Sequence, residues 1–173
     1  MYIRCVKTIL LLRHAKAEAL VPGQRDFDRP LASRGRDDAQ LMGRVLAKLG
    51  CVPDAIVSSP AARAKETAEG AARAMKFGGK IIMEPALYDA AGEVWLDTLR
   101  AVASGAANAL LVAHEPGMSE AAGLLCGGDA GTFDIPTAGL LSFEVNLERW
   151  RDLAEGDAAL RWFLRPKTAS ALL

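Results

Sequence analysis

Two short apolar runs, each followed by a histidine, constrain this 173-residue chain more than any other feature. One reads Thr8-Ile9-Leu10-Leu11-Leu12 and leads into Arg13-His14-Ala15; the other reads Ala109-Leu110-Leu111-Val112-Ala113 and leads into His114-Glu115-Pro116-Gly117. An uninterrupted apolar run of this length fits a strand buried on both faces, as in a parallel sheet. Ligands of open α/β sheets bind just beyond the carboxyl ends of such strands. The chain has two histidines in all, and both fall at that level. A single strand-capping histidine would most simply bond to backbone. Two in matching contexts favour imidazoles that act as nucleophile, acid or base at neutral pH.

The remaining pattern agrees with that sheet. Further strands are expected at 55–58, 80–83, 140–145 and 160–164. Helical patterns lie between them. Ser33 is placed to cap a helix in which Ala39, Met42, Leu46 and Leu49 recur at spacings of three and four, with Gly50 as its stop. A second helix is expected with Ser59 as cap and Pro60 at its first position, running to Met75. A third covers 94–104, and a fourth begins at Pro116 and ends near Gly127-Gly128. Alternating strands and helices imply right-handed crossovers. The expected fold is therefore α/β: a three-layer α/β/α sandwich with a mostly parallel central sheet, an antiparallel edge, and helices on both faces. The antiparallel edge is assigned to 140–145 and 160–164, because the polar stretch 149–157 holds no crossover helix. One domain spans the chain, and the tail from Pro166 is expected to be loose.

Composition narrows the function classes. Lys plus Arg equals Asp plus Glu at 21 each, so no global charge points to nucleic acid or membrane. Any electropositive site must be local. Cys5, Cys51 and Cys126 are odd in number and widely spaced, which fits a reducing cytosol better than a disulfide framework or a zinc site. No leader core or membrane-length apolar stretch is evident. A cytoplasmic monomer is the expectation.

Arg63 sharpens the chemistry. One turn into a helix whose start adjoins a strand end, its guanidinium leans back over the free N–H groups there. That terminus already favours an anion, and arginine adds a planar fork matched to phosphate oxygens. His114 repeats the arrangement, with Glu115-Pro116-Gly117 opening a helix. Two histidines with Arg13 and Arg63 thus compose an anion site that contains a nucleophile.

These residues resemble a known family. Leu12-Arg13-His14-Ala15 is similar to the RHG signature of the histidine phosphatase (phosphoglycerate-mutase-like) superfamily. Ser58-Ser59-Pro60-Ala61-Ala62-Arg63-Ala64-Lys65-Glu66-Thr67-Ala68 resembles its S-S-P-x-x-R-x-x-x-T-A segment, and Val112-Ala113-His114-Glu115-Pro116 the segment of its second histidine. The short length, with Asp28-Arg29-Pro30-Leu31 and Ser33-Arg34-Gly35, is similar to the SixA-type phosphohistidine phosphatase branch. The resemblance implies that His14 is the nucleophile and forms a phosphohistidine that water hydrolyses. Arg13, Arg63 and His114 would hold the phosphoryl oxygens. Neither metal nor cofactor is called for, since cationic side chains fill that role. Neutral His14 would work beside a protonated His114, so the two imidazoles need opposite states.

Two positions depart from the family pattern. Ala15 replaces the glycine after the nucleophile, which would put a methyl where backbone approaches phosphate. Asp89, in Leu87-Tyr88-Asp89, stands where many members carry a glutamate general acid; as a turn residue before Ala90-Ala91-Gly92 it is equally well explained. A phosphorylated imidazole leaves more readily than an alkoxide, so a weak acid leans toward phosphohistidine. Connections also read as short: about 20 residues between Leu12 and Ser33 and under ten elsewhere, leaving no room for a lid. Ala15, Glu115 and Arg29 are further candidates for contact with substrate. Arg25, Arg29 and Arg34 could line the approach or simply pair with Asp26, Asp28 and Asp37. The expected partner is a phosphorylated protein such as a histidine-containing phosphotransfer domain. A small phosphate ester and a non-catalytic phosphate-binding module are the alternatives.

Overall fold

Residues 6–102, 105–129 and 133–173 are described by the computed structural model of this chain. Cys5 and the expected helix end at Ser104 lie outside them. Six strands, β1 (Val6–Arg13), β2 (Ala55–Ser58), β3 (Ile81–Met83), β4 (Asn108–Ala113), β5 (Leu140–Asn146) and β6 (Ala158–Leu164), form one sheet in the order β3-β2-β4-β1-β5-β6. The first four are parallel; β5 runs antiparallel to β1 and β6 antiparallel to β5. The mostly parallel sheet with its antiparallel edge pair is as the pattern implies.

Alternation along β1 divides the core in two. Ile9 and Leu11 pack against α3 (Gly92–Arg100) and α4 (Gly117–Cys126), through Trp95, Leu96, Leu99, Met118 and Leu125. Leu10 and Leu12 face α1 (Ser33–Lys48) and α2 (Ala62–Ala74), through Met42, Val45, Leu46, Ala68 and Ala71. All four strand residues are fully buried. Every side chain of a doubly covered strand meets apolar neighbours, which is why the sequence shows a run where a half-exposed strand would alternate. Among the described residues no helix is long and apolar enough to cross a membrane.

Several boundaries differ from the sequence expectation. Ser33 is the first helical residue and Ala32 the cap, without a side-chain bond. Gly50 does end the helix, at φ +67 with its N–H on the Ala47 carbonyl. The second helix starts at Ala62 with Ala61 as cap, because the Ser59 hydroxyl is engaged elsewhere. The tail is not loose: α5 (Pro166–Ser170) buries Ala169 in the α1–α2 core, and Lys48 Nζ donates to the Leu172 carbonyl. Two connections besides 14–32 exceed ten residues, 127–139 and 147–157. The first of these borders the site described below.

The α1–α2 contact positions the helix that carries Arg63, and Gly43 sets its distance. A Cβ at Gly43 would lie under 3 Å from three backbone atoms of Ala71. Gly43→Ala must therefore push the helices apart, and the expected loss is about 1–3 kcal/mol, the usual cost of overpacking. Urea denaturation measures it, and an unchanged midpoint would contradict the close approach.

Candidate active site

Register brings the sequence-predicted residues together. Arg13 is opposite Ala113 across β1 and β4, and Ser58 is opposite Val112 across β2 and β4. The three central strands therefore end within one residue of each other, β2 one step before β1 and β4, and the next residues of each are His14, His114 and Ser59. The His14 N–H donates to the Ala113 carbonyl at 2.9 Å, and the Ser59 N–H to the Val112 carbonyl at 2.9 Å, extending the ladder by one bond on each side. The two imidazole centroids lie 5.1 Å apart.

His14 is locked by its own neighbour. Its Nδ1 is 2.9 Å from the Ala15 carbonyl oxygen, so Nδ1 carries the proton and Nε2 keeps its lone pair. Ala15 is not a phosphate contact. Its methyl is fully buried in the α1–α2 core, and its N–H donates to Thr67 Oγ1 at 3.0 Å. Thr67 Oγ1 in turn donates to the Arg63 carbonyl at 2.6 Å. One hydroxyl thus fixes the His14 loop to the first turns of α2, a role that only the threonine of the S-S-P-x-x-R-x-x-x-T-A segment hinted at.

The arginines converge from opposite sides. Arg13 points toward the α3–α4 face of the sheet, where the loop after α4 receives it: its Nη1 donates to the Ile135 carbonyl. Arg63, 4% exposed, donates from Nη1 to both the carbonyl and the carboxylate of Asp26, each at 2.9 Å. Arg29 grips the same carboxylate at 2.8 Å, so it supports Arg63 through Asp26. Burial works to raise the Asp26 carboxyl, but Arg63 and Arg29 outweigh it and hold the group below the ordinary range. The sequence reading took Asp26 for a surface partner. It pairs with Arg29 as expected, whereas Arg25 pairs with Asp28, and Arg34 with Asp38 in place of Asp37.

His114 completes the ring. Its Nε2 is 2.9 Å from Ser59 Oγ; that hydroxyl already accepts from the Ala61 N–H at 3.4 Å, and donating its own hydrogen to Nε2 would leave the ring proton on Nδ1. Tyr88 meets the His114 ring edge-on at 5.7 Å and Phe27 meets Tyr88 at 5.1 Å, an aromatic wall on that side. Five buried side-chain polar atoms lack a hydrogen-bond partner among the described residues, and three of them are Arg13 Nε, Arg63 Nε and His114 Nδ1. Unmade bonds of buried donors are costly, so three of them, at the ends of β1 and β4 and in the first turn of α2, form a cluster suited to an anion.

Protonation is not as the sequence implies. Burial above all, then the arginines, lowers His14 to about 4 and His114 to about 3. Both imidazoles are therefore neutral at pH 7. With the Ser59 hydroxyl donating to its Nε2, a neutral His114 keeps its proton on Nδ1 and can still donate. The neutral and protonated pair implied at first is then replaced by two tautomeric roles: a free lone pair on His14, a free N–H on His114.

Asp89 stays at the margin. It is exposed, sits at φ +51 in the turn after Leu87-Tyr88, and makes no hydrogen bond or ion pair among the described residues. Left-handed backbone suits a turn aspartate. Glu115 caps α4, accepting from the Ser119 N–H at 3.1 Å through Oε2, while Oε1 is buried and unpartnered and burial raises the group.

With that geometry in place, comparison with known proteins decides the family. Residues 9–107 match the histidine phosphatase superfamily (branch 1). The chain belongs to that superfamily. An uncharacterised protein of Mycobacterium tuberculosis is 34% identical over 167 residues, covering 90% of this chain and all of that protein. A structure from Agrobacterium tumefaciens, assigned as a phosphohistidine phosphatase SixA, has 32% identity and a TM-score of 0.78 over 92% of this chain and 98% of its own. An alpha-ribazole phosphatase of Shigella flexneri shares the fold at 18% identity and TM-score 0.64, over 92% and 97%.

Burying both imidazoles neutral makes stability depend on pH. Their folded values, about 4 and about 3, lie below the ordinary 6.5, so the unfolded chain binds more protons between those limits. Stability is fully present above pH 6.5 and is lost as pH falls toward 4, at up to about 1.4 kcal/mol per pH unit for each imidazole. In phosphate-free buffer, denaturation between pH 7 and 5 should show this slope, and His114→Gln should remove about half of it. An unaltered slope in the variant would contradict the buried neutral His114.

Proposed function

We propose that this chain is a phosphatase that works through a phosphohistidine intermediate on His14 and that acts on phosphohistidine carried by another protein in the cytosol. The unpartnered Arg13 Nε, Arg63 Nε and His114 Nδ1 around the His14 lone pair carry this reading. Nucleophile and anion donors occupy one site, which a simple phosphate-binding module would not require.

The chemistry follows from the geometry. The His14 Nε2 lone pair forms a bond to phosphorus as the bond from phosphorus to the leaving group breaks. Arg13 and Arg63 donate to the equatorial oxygens through their free edges while each keeps one Nη1 on protein. His114 adds its Nδ1–H. These donors are fixed before substrate arrives, which is the condition for electrostatic stabilisation of the transfer. Water then attacks the phosphorus of phospho-His14, and inorganic phosphate leaves as the imidazole lone pair returns.

The leaving group favours phosphohistidine over an alkyl phosphate. An alkoxide needs a proton in the transition state, worth about 10²–10⁴-fold from a good general acid. Asp26 is held ionised by its two arginines, and Asp89 is exposed without a partner among the described residues, so neither aspartate is prepared to supply that proton. Glu115, which burial raises, is tied through Oε2 to the Ser119 N–H at the start of α4. A phosphorylated imidazole departs as the neutral ring once its second nitrogen is protonated from water. Kinship with a structure assigned as SixA supports the same choice, whereas the shared fold with an alpha-ribazole phosphatase does not discriminate.

Rapid quenching with labelled substrate should trap phosphate on His14 as an acid-labile, alkali-stable adduct, absent in His14→Ala. Arg63→Lys should lose about 2–4 kcal/mol of transition-state stabilisation, because a point charge cannot reproduce two donating edges. Asp89→Asn should leave hydrolysis of phosphohistidine and of p-nitrophenyl phosphate nearly unchanged. A steep loss confined to an alkyl phosphate, with that ester the better substrate, would overturn the phosphohistidine assignment in favour of a small-molecule phosphomonoesterase.

A further inference from the structure

Beside the site lies a basic concavity of about 470 Å³ that the chemistry above does not use. It is lined by Lys16, Arg34, Asp38, Pro136, Thr137, Arg165, Pro166 and Lys167. The four cations are exposed, and the carboxylates near them are few. Asp38 lies 3.7 Å from Arg34, with the arginine side chain 82% exposed. Asp134 lies 3.8 Å from Arg165 and is itself 97% exposed. Such exposed pairs are weak, so all four cations remain available to another ligand. In a chain with 21 cations and 21 anions, this local excess is not inherited from the whole.

Its walls are continuous with the nucleophile loop. Lys16 follows Ala15, whose carbonyl holds His14. The segment carrying Pro136 and Thr137 contributes the Ile135 carbonyl to Arg13, and the Ala138 N–H donates to the His14 carbonyl at 3.1 Å. Gly35 brings α1 against this loop: a Cβ there would collide with the Lys16 carbonyl oxygen, so only glycine lets Arg34 sit beside Lys16. The Ala32 N–H also bonds that carbonyl at 2.9 Å. Arg165 is held over the Phe163 ring at 5.4 Å, which orients its charge at the rim. The concavity therefore adjoins the loop that carries His14.

We propose that Lys16, Arg34, Arg165 and Lys167 form a docking surface for acidic side chains that flank the phosphorylated residue of a protein substrate. A small phosphate ester is held within the arginine and imidazole ring and gains nothing from charges outside it. A protein surface needs complementary charge beside the reacting group to orient it, and rim charges of this kind act mainly on association and its salt dependence. The proposal rests on the phosphatase reading of the His14 site and names the face of the partner that this site accepts.

Two synthetic phosphohistidine peptides, alike except for Asp/Glu or Lys flanks, test it together with a phosphotyrosine pair of the same flanks. The wild type should prefer the acidic peptide of each pair by roughly tenfold in kcat/KM at low salt, falling below about twofold in 0.5 M salt as screening shortens the range of the charges. Lys16→Glu/Arg165→Glu/Lys167→Glu should reverse the preference while leaving p-nitrophenyl phosphate turnover unchanged. Reversal is a readout that misfolding does not give. An acidic preference retained in the triple variant, equal loss on both flanks, or no preference in the wild type would overturn the docking surface. Turnover of the phosphotyrosine pair alone, with the preference intact, would remove the phosphohistidine assignment and keep the surface. If neither pair is cleaved, anisotropy of the labelled peptides on His14→Ala protein reads the same preference.

Discussion

Arg13 pairs with Ala113 and Ser58 with Val112, so three neighbouring parallel strands stop within one residue of each other. A shift of one residue in either pairing would turn His14 or His114 to the other face of the sheet, since side chains alternate. The register is fixed by burial. Leu10, Leu12, Leu110 and Val112 fill the α1–α2 core, and Ile9, Leu11, Ala109 and Leu111 fill the other. Because both faces are apolar, slippage would move large side chains against neighbours shaped for small ones. The apolar runs thus place the histidines as firmly as they place the core.

Those strand ends then hold charge where the interior disfavours it. Arg63 is 4% exposed and His114 4%, with His14 at 9%. A buried guanidinium demands partners. The protein supplies them on one edge only: the Ile135 carbonyl for Arg13, and the carbonyl and carboxylate of Asp26 for Arg63. Each arginine keeps its orientation through Nη1 and leaves Nε without a partner. The imidazoles yield to the same field by becoming neutral, and their neighbours choose the tautomers. The Ala15 carbonyl accepts from His14 Nδ1–H, and a Ser59 hydroxyl that donates to Nε2 would keep the proton of His114 on Nδ1. Two rigidly held guanidinium groups, only one of them facing a carboxylate and each with Nε unpartnered among the described residues, support the proposed phosphate site.

Much of this was legible in the sequence because it follows from local pattern. Apolar runs gave the strands, the order of strands and helices gave the layers, and the spacing of Arg63 from Ser59 gave the anion site. What the sequence did not disclose depends on contacts between distant segments. Ser59 reads as a helix cap, yet its hydroxyl bonds His114, 55 positions away. Asp26 reads as a solvated charge near Arg29, yet 37 residues separate it from the arginine it holds. Ala15 reads as a flaw in a phosphate loop, and only the packing of Thr67 and α1 shows its methyl inside the core. Asp89 reads equally as a general acid or as a turn residue, and the left-handed backbone puts it in an exposed turn.

The exchange of Asp89 for Asp26 bears on what the site can cleave. A carboxyl acts as a general acid when its surroundings keep it protonated near the working pH. Asp26 has the opposite surroundings, with Arg63 and Arg29 each against its carboxylate. Its service is to hold a cation in place, and protonating it would loosen Arg63 at the moment the phosphoryl group needs that donor. Acid catalysis from Asp26 and phosphate binding by Arg63 are thus competing uses of one ion pair. A leaving group that needs no acid removes the competition, because Asp26 then stays ionised through the whole cycle. Phosphorylated imidazole is such a group, and an unassisted alkoxide is not. In the proposed reaction, the electrostatics that hold Arg63 therefore favour a phosphorylated imidazole as the leaving group.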